Sequence, residues 1–170
     1  SEFAPELMLN EALDFVRSNK DEPFFLYFAS PLSHVPLQAP KKWVEYYQEK
    51  FGPEEPYIGD QGYFPHRTPR AAYAAMVSYL DEQVGDIVKE LKALGLYDNT
   101  LIMFSSDNGP TYNGGSDSAY FASAEPFKSE KGWAKGFTTE GGIRVPMIAS
   151  WKGRIQNGRT TQHVSAFWDV

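Results

Sequence analysis

The chain reads as an α/β domain, a mostly parallel sheet flanked by helices, on three observations. Phe24–Ala29 and Thr100–Phe104 are short, nearly continuous apolar runs, the composition of strands covered on both faces. Between them, about Arg70 to Leu94, apolar residues recur at helical spacing over a length that can cross back over a sheet. Strand, crossover helix and strand in that order are the grammar of a right-handed α/β unit. With 170 residues, 42% hydrophobic and 22% charged, the chain is long enough for a core and too apolar for a disordered segment.

Each element has a local reason. Glu6 to Ser18 predicts a helix from the stripe Leu7, Leu9, Ala12, Leu13 and Val16, which Asp21-Glu22-Pro23 ends. The run Phe24–Ala29 predicts the first strand. Pro31 to Pro40 is a proline-interrupted loop, and Lys41 to Lys50 predicts a short helix. Phe51 to Pro69 holds four Pro and three Gly among several aromatics and reads as irregular surface structure. The long helix presents Ala74, Met76, Val77, Leu80, Val84, Ile87, Val88 and Leu91 on one face, with Gly95 placed to end it. Residues 107–142 are rich in Gly, Ser and Asn with little periodicity, and so long a loop is usually functional. Val145–Trp151 predicts a third strand and Thr161–Asp169 the opening of another helix. Residues 1–5 carry no basic or strongly apolar leader character and read as a tag, a linker or an arbitrary cut.

Composition excludes several classes. Without Cys there is no disulfide framework, thiolate metal site or cysteine nucleophile. A net charge of −6 argues against a nucleic-acid module, and no apolar run approaches a membrane span. The charge is unevenly spread: residues 1–125 hold 9 Lys and Arg against 19 Asp and Glu, whereas residues 126–160 hold 7 against 2. A basic segment on an acidic chain can focus an anionic ligand, or it can be a solvated face.

Ligands of open α/β sheets sit beyond the carboxyl ends of the strands. His34 follows the first strand within five residues, and the second runs into Ser105-Ser106-Asp107-Asn108-Gly109-Pro110. Asp107 and Asn108 supply a carboxylate and an amide oxygen, hard donors suited to Ca²⁺ or Mg²⁺, although the same four residues also make good turn chemistry. Two side chains are too few for calcium, which takes six to eight oxygens. Lys135, five residues before Glu140-Gly141-Gly142, can present a positive point charge to an anion; Lys128 and Lys131 compete for that role. His66 has no evident partner and His163 reads as structural near a helix start. Tyr57, Tyr63 and Trp133 are aromatics available to a sugar, but name none. There is no phosphate-loop spacing, nucleophile elbow or zinc-protease helix.

Four strings together resemble the sulfatase family, arylsulfatase type. They are Phe24–Ala29 with Ser33-His34-Val35-Pro36-Leu37-Gln38-Ala39-Pro40, Tyr79-Leu80-Asp81-Glu82-Gln83-Val84-Gly85, Thr100–Phe104 with Ser106-Asp107-Asn108-Gly109-Pro110, and Lys135-Gly136 with Glu140-Gly141-Gly142-Ile143-Arg144-Val145-Pro146. The resemblance implies an alkaline-phosphatase-like α/β sandwich and hydrolysis of sulfate esters, with sulfated small molecules or carbohydrates as substrates. It implies that Asp107 and Asn108 bind the active-site calcium, with Mg²⁺ as the second candidate. It implies too that His34 and Lys135 contact the sulfate and act as catalytic groups. The family's formylglycine nucleophile is made in a Cys/Ser-x-Pro/Ala-x-Arg motif, and no such motif stands here. Residues 1–170 are therefore expected to be the middle part of a catalytic domain, with 107–142 as its active-site loop region, and inactive alone. A periplasmic, secreted or lysosomal setting is implied by the resemblance only. The alternatives are a phosphatase or phosphodiesterase of the same superfamily, or a non-catalytic relic that binds anions or glycans.

Overall fold

A computed structural model describes residues 2–170. Helix α1 spans Ala4–Ser18, α2 Lys41–Phe51 and α3 Pro69–Ala93; strand β1 is Ile102–Ser105, α4 a single turn at Glu140–Ile143, and β2 Met147–Ser150. Short 3-10 turns occupy Tyr97–Asn99 and Phe167–Asp169.

Helix α3 is the spine. It opens on Pro69, whose missing N–H costs nothing at a helix start. Two N–H groups of its first turn are taken by a distant side chain: Arg70 N–H donates to Glu54 Oε2 at 2.7 Å and Ala71 N–H to Glu54 Oε1 at 3.1 Å. It closes as the glycine predicted, with Gly95 at φ +72°, Gly95 N–H donating to Lys92 O at 3.1 Å and Leu96 N–H to Leu91 O at 2.9 Å. Four of its nine buried residues are alanines, Ala71, Ala72, Ala74 and Ala75; the others are Pro69, Met76, Tyr79, Gln83 and Leu91. The short side chains let neighbouring backbone approach closely. Burial thus concentrates on the N-terminal half of α3, and Val77, expected on the apolar face, is exposed.

Helix α1 packs on α3 through Leu9, Ala12 and Val16. Ala4 and Pro5, read above as the end of a tag or linker, lie in α1, and the buried Gln83 Nε2 donates to Pro5 O at 2.6 Å. Helix α2 has no buried residue and is held to α3 by polar bonds. Trp43 Nε1 and Lys42 Nζ each reach Glu82 at 2.6 Å, and Tyr47 and Ser78 share a hydroxyl bond of 2.7 Å. Those contacts hold the Glu82 carboxyl below its usual range, Lys42 contributing most.

The sheet departs from expectation. β1 and β2 form an antiparallel ladder pairing Ile102 with Ser150 and Ser105 with Met147, so this pair is not parallel. Four-residue strands replace the longer runs predicted at Thr100–Phe104 and Val145–Trp151. Phe24–Ala29 enters no ladder among the described residues; it alternates between half-buried and exposed, with Phe25 87% and Tyr27 79% exposed. An apolar run without a partner strand cannot satisfy its backbone as a sheet does. Thr161–Asp169 is no helix: only Phe167–Asp169 turns, and His163 is exposed outside it.

Candidate active site

The loop after Phe24–Ala29 is fixed by burial on α3. Val35 and Leu37 pack against Ala72 and Met76, with Leu32, Ala39 and Tyr73 around them. Alternation then turns His34 outward. Its Nδ1–H donates to Val35 O at 2.7 Å, which leaves Nε2 as the nitrogen facing solvent. The Tyr63 ring stands edge-on to the imidazole at 6.1 Å, and Tyr63 itself has a left-handed backbone (φ +67°), a strained state for a bulky residue.

At the end of β1, Ser105 and Ser106 bind backbone carbonyls and the chain turns outward. Asp107 is exposed, its carboxylate free of hydrogen bonds and ion pairs among the described residues. Asn108 Nδ2 donates to Gly109 O at 2.9 Å, leaving Oδ1 as an open acceptor. The turn is clamped to the later segment by two backbone bonds, Gly109 N–H to Gly142 O and Lys135 N–H to Pro110 O, both 2.9 Å. A glycine stack permits this. A Cβ on Gly109 would lie 1.9 Å from Gly141 O, one on Gly141 1.9 Å from Lys128 O, and one on Gly142 2.1 Å from Phe137 O. Gly141 and Gly142 lie in the helical turn α4 with no positive φ, so what they provide is room for close approach, and their approach to Gly109 had no local signal in the sequence.

Lys135 is therefore tied by its backbone to the Asp107-Asn108 turn, and its side chain has no acidic partner among the described residues. Lys128 lies over the Trp133 ring at 4.4 Å, while Lys131 is exposed. Elsewhere in the basic segment, Arg144 pairs with Glu140 at 2.8 Å and Lys152 with Asp98 at 2.7 Å. His34 joins from another direction: a Cβ on Gly114, in the 107–142 loop, would lie 2.7 Å from Val35 Cγ1 and 3.2 Å from Tyr63 Cδ2.

That loop is ordered by features invisible to periodicity. Ser116 Oγ donates to Thr111 O and Asn113 O, both at 2.9 Å, and Ser129 Oγ to Ser118 O at 2.9 Å, with Ser118 Oγ returning a bond to Ser129 O. Arg70 Nε binds Asp117 Oδ2 at 2.8 Å and the guanidinium stacks on Tyr120 at 4.0 Å, so Arg70 holds its proton above the ordinary arginine value. His66 does have partners: its backbone bridges Tyr57, and Thr68 N–H donates to Nδ1 at 3.1 Å. Burial lowers its pKa, against a smaller opposing pull from Glu54.

For a divalent cation, the donor chemistry of Asp107 and Asn108 fits, with both oxygens hard, uncommitted and adjacent. No group of three Asp, Glu, His or Cys converges among the described residues, so these two can form only part of such a site. No helix is long and apolar enough to cross a membrane.

The model of the sulfatase family matches residues 3–168. N-acetylgalactosamine-6-sulfatase of Rattus norvegicus is 31% identical over 97% of this chain, and the uncharacterized sulfatase YdeN of Escherichia coli (strain K12) 32% over 96%. The chain covers 27% and 26% of those proteins, about a quarter of their length. Among solved structures, Ps i-CgsB in complex with k-i-k-neocarrahexaose shares 35% identity at a TM-score of 0.67, covering 89% of this chain and 28% of that one. The uncomplexed Ps i-CgsB structure gives 34% and 0.69 over 91% and 29%. A match running almost end to end, on a chain whose loops gather the same short strings, has one reading: the chain belongs to the sulfatase family.

Proposed function

We propose that this chain forms one wall of the active site of a sulfate-ester hydrolase acting on sulfated carbohydrates, within an alkaline-phosphatase-like sandwich whose sheet is mostly parallel. One observation carries it: Lys135 and the Asp107-Asn108 turn, far apart in sequence, are joined by the Lys135 N–H to Pro110 O bond while the Asp107 carboxylate, Oδ1 of Asn108 and the Lys135 amine stay uncommitted among the described residues. Asp107 and Asn108 would hold Ca²⁺, or Mg²⁺. Bound there, the cation supplies a Lewis acid for a sulfate oxygen. Lys135 adds a point charge for the same oxyanion. His34, its Nδ1 proton committed to Val35 O, has Nε2 to accept a proton or, when charged, to give one to the leaving oxygen. The carbohydrate assignment is supported by the names of the relatives and by the sugar complex of Ps i-CgsB.

The nucleophile lies outside this set of residues, since the chain has no Cys and no Ser in the formylglycine context. Turnover therefore has to be measured in the longer protein that contains this chain. There, Lys135→Ala and His34→Ala should each lower sulfate-ester kcat by about 10²–10³. Faster hydrolysis of a phosphate ester than of its sulfate counterpart would overturn the assignment, as would turnover by residues 1–170 alone.

A further inference from the structure

We infer that Asn157 is a site of spontaneous deamidation and that the clamp on Gly109 spares Asn108 the same change. Asn108, Asn113 and Asn157 are each followed by glycine. Asparagine is a thermally labile residue, and a following glycine, without a Cβ, leaves its own nitrogen free to reach the preceding side chain. In the reaction that nitrogen bonds to Cγ of the asparagine. The Cγ–Nδ2 bond breaks, and ammonia leaves with the proton that the glycine nitrogen carried. Water then opens the cyclic imide at either carbonyl, giving aspartate or isoaspartate. No cofactor or enzyme enters. The rate is therefore set by whether the glycine N–H is free and whether the local backbone can move.

The three pairs differ in both respects. At Asn108 the Gly109 N–H is spent on Gly142 O at 2.9 Å, and Gly109 is buried. The Asn108 amide is itself turned to Gly109 O at 2.9 Å, and the next residue is held by Lys135 N–H on Pro110 O at 2.9 Å. Gly141 O fills the space that a Cβ on Gly109 would need, so the backbone cannot shift that way to close the ring. At Asn157 none of these restraints exists. Asn157 and Gly158 are exposed, the Gly158 N–H has no backbone partner among the described residues, and nothing lies within 4 Å of a Cβ built on Gly158. Asn113 stands between the two. The Gly114 N–H likewise has no backbone partner among the described residues, but Gly114 is buried against Val35 and Tyr63, and Asn113 O accepts from both the N–H and the Oγ of Ser116. The protection matters at Asn108 whatever that residue binds. Aspartate there would add a charge beside Asp107, and isoaspartate would lengthen the backbone of the turn by one carbon.

The test is peptide mass mapping of the longer protein that contains this chain, aged in mildly alkaline buffer, natively and in urea, with and without a chelator. In urea the three pairs should deamidate at similar rates, which sets the unprotected rate of each site. Natively, Asn157 should keep that rate within about threefold, whereas Asn108 should be slowed at least about tenfold, because a bonded, buried N–H must first be freed. Asn113 should fall between them. Chelation should leave Asn108 protected. Gly141→Ala, whose Cβ would lie 1.9 Å from Lys128 O, should push the Gly142 carbonyl off Gly109 and raise the Asn108 rate without changing that of Asn157. Thr139→Ala removes a milder support of the same turn, the Thr139 hydroxyl on Trp133 O at 2.6 Å, and should raise it less. Asn157→Gln should abolish the main acidic variant seen on ion exchange. Asn108 deamidating natively as fast as in urea would overturn the role of the clamp, as would protection that vanishes on chelation alone. Asn157 as slow natively as Asn108 would overturn its assignment as the reactive site.

Discussion

Replacing Gly109 by alanine should cost the fold more than its single methyl suggests. The new Cβ would lie 1.9 Å from Gly141 O and 2.9 Å from Gly141 C, and both are backbone atoms that no rotamer change can move. Ordinary contact needs roughly 3.5 Å, so the two strings must part by more than an ångström. Overpacking of this kind costs about 1–3 kcal/mol. Parting also breaks the Gly109 N–H to Gly142 O bond, worth about 1 kcal/mol. Against this stands a gain of about 0.4–1 kcal/mol from the stiffer unfolded chain. The net is about 2–3 kcal/mol destabilising, which lowers the urea midpoint by about 1 M for an m-value of about 2 kcal/mol/M. Gly85 is the control, because it lies exposed in α3 with nothing within 4 Å of a Cβ. Gly85→Ala should raise stability by about 0.5–1 kcal/mol. Urea unfolding followed by circular dichroism reads both, and amide exchange at Lys135 reports whether the clamp has opened. A Gly109→Ala chain as stable as the parent, with Lys135 equally protected, would refute the close approach and with it the joining of the two site strings.

Glu54→Ala should destabilise by about 2 kcal/mol, because one carboxylate takes two first-turn N–H groups of α3 and faces the helix dipole; Glu54→Gln should recover part of that in the same urea titration. Stability should also fall as pH drops below about 6.5, the ordinary histidine value, through the depressed pKa of His66. The sign follows from burial: the folded state disfavours the charged ring, so the unfolded chain binds more protons in that window. The loss should be absent in His66→Gln, and a midpoint insensitive to pH between 7.5 and 5.5 in the parent chain would contradict it. Glu82 and Glu90, both held low by cationic neighbours, act only at more acidic pH.

The helices were legible because their signals are local. Leu9, Ala12 and Val16 recur at helical spacing, and Gly95 stands where a left-handed residue must close α3. What failed was whatever depends on a partner. Phe24–Ala29 has the composition of an inner strand, but an extended run becomes sheet only when another backbone lies beside it. Orientation was equally invisible: Thr100–Phe104 and Val145–Trp151 look alike whether paired parallel or antiparallel, and here β1 and β2 run opposite. The site divides along the same line. Asp107, Asn108, His34 and Lys135 stood out as candidates by residue type, but turn chemistry and two competing lysines left them open until the family resemblance singled them out. The devices that hold them gave no such signal, since the contact of Gly109 with Gly141 and the grip of Arg70 on Asp117 span 32 and 47 residues of chain.

Those devices explain how a loop of irregular backbone can carry chemistry at all. Residues 107–142 have almost no regular structure, yet Ser116, Ser118 and Ser129 are buried and each is bonded to backbone. Internal side-chain bonds thus replace the ladder a strand would provide. Three residues beside or along this loop, Tyr63, Asp117 and Ala122, sit in the left-handed region, a cost of order 1–3 kcal/mol each. The surrounding contacts over-determine at least one of them: Asp117 is fixed by Arg70 on one oxygen and by Tyr120 N–H on the other. The polar groups that build the loop are therefore spent on building it. Asp107, Lys135 and Nε2 of His34 are not: Asp107 and His34 are exposed and Lys135 half-buried, on segments the loop ties together. Uncommitted charge on a clamped backbone is the combination the proposed chemistry requires, because groups already paired within the protein would have to break those bonds before meeting a cation or an oxyanion.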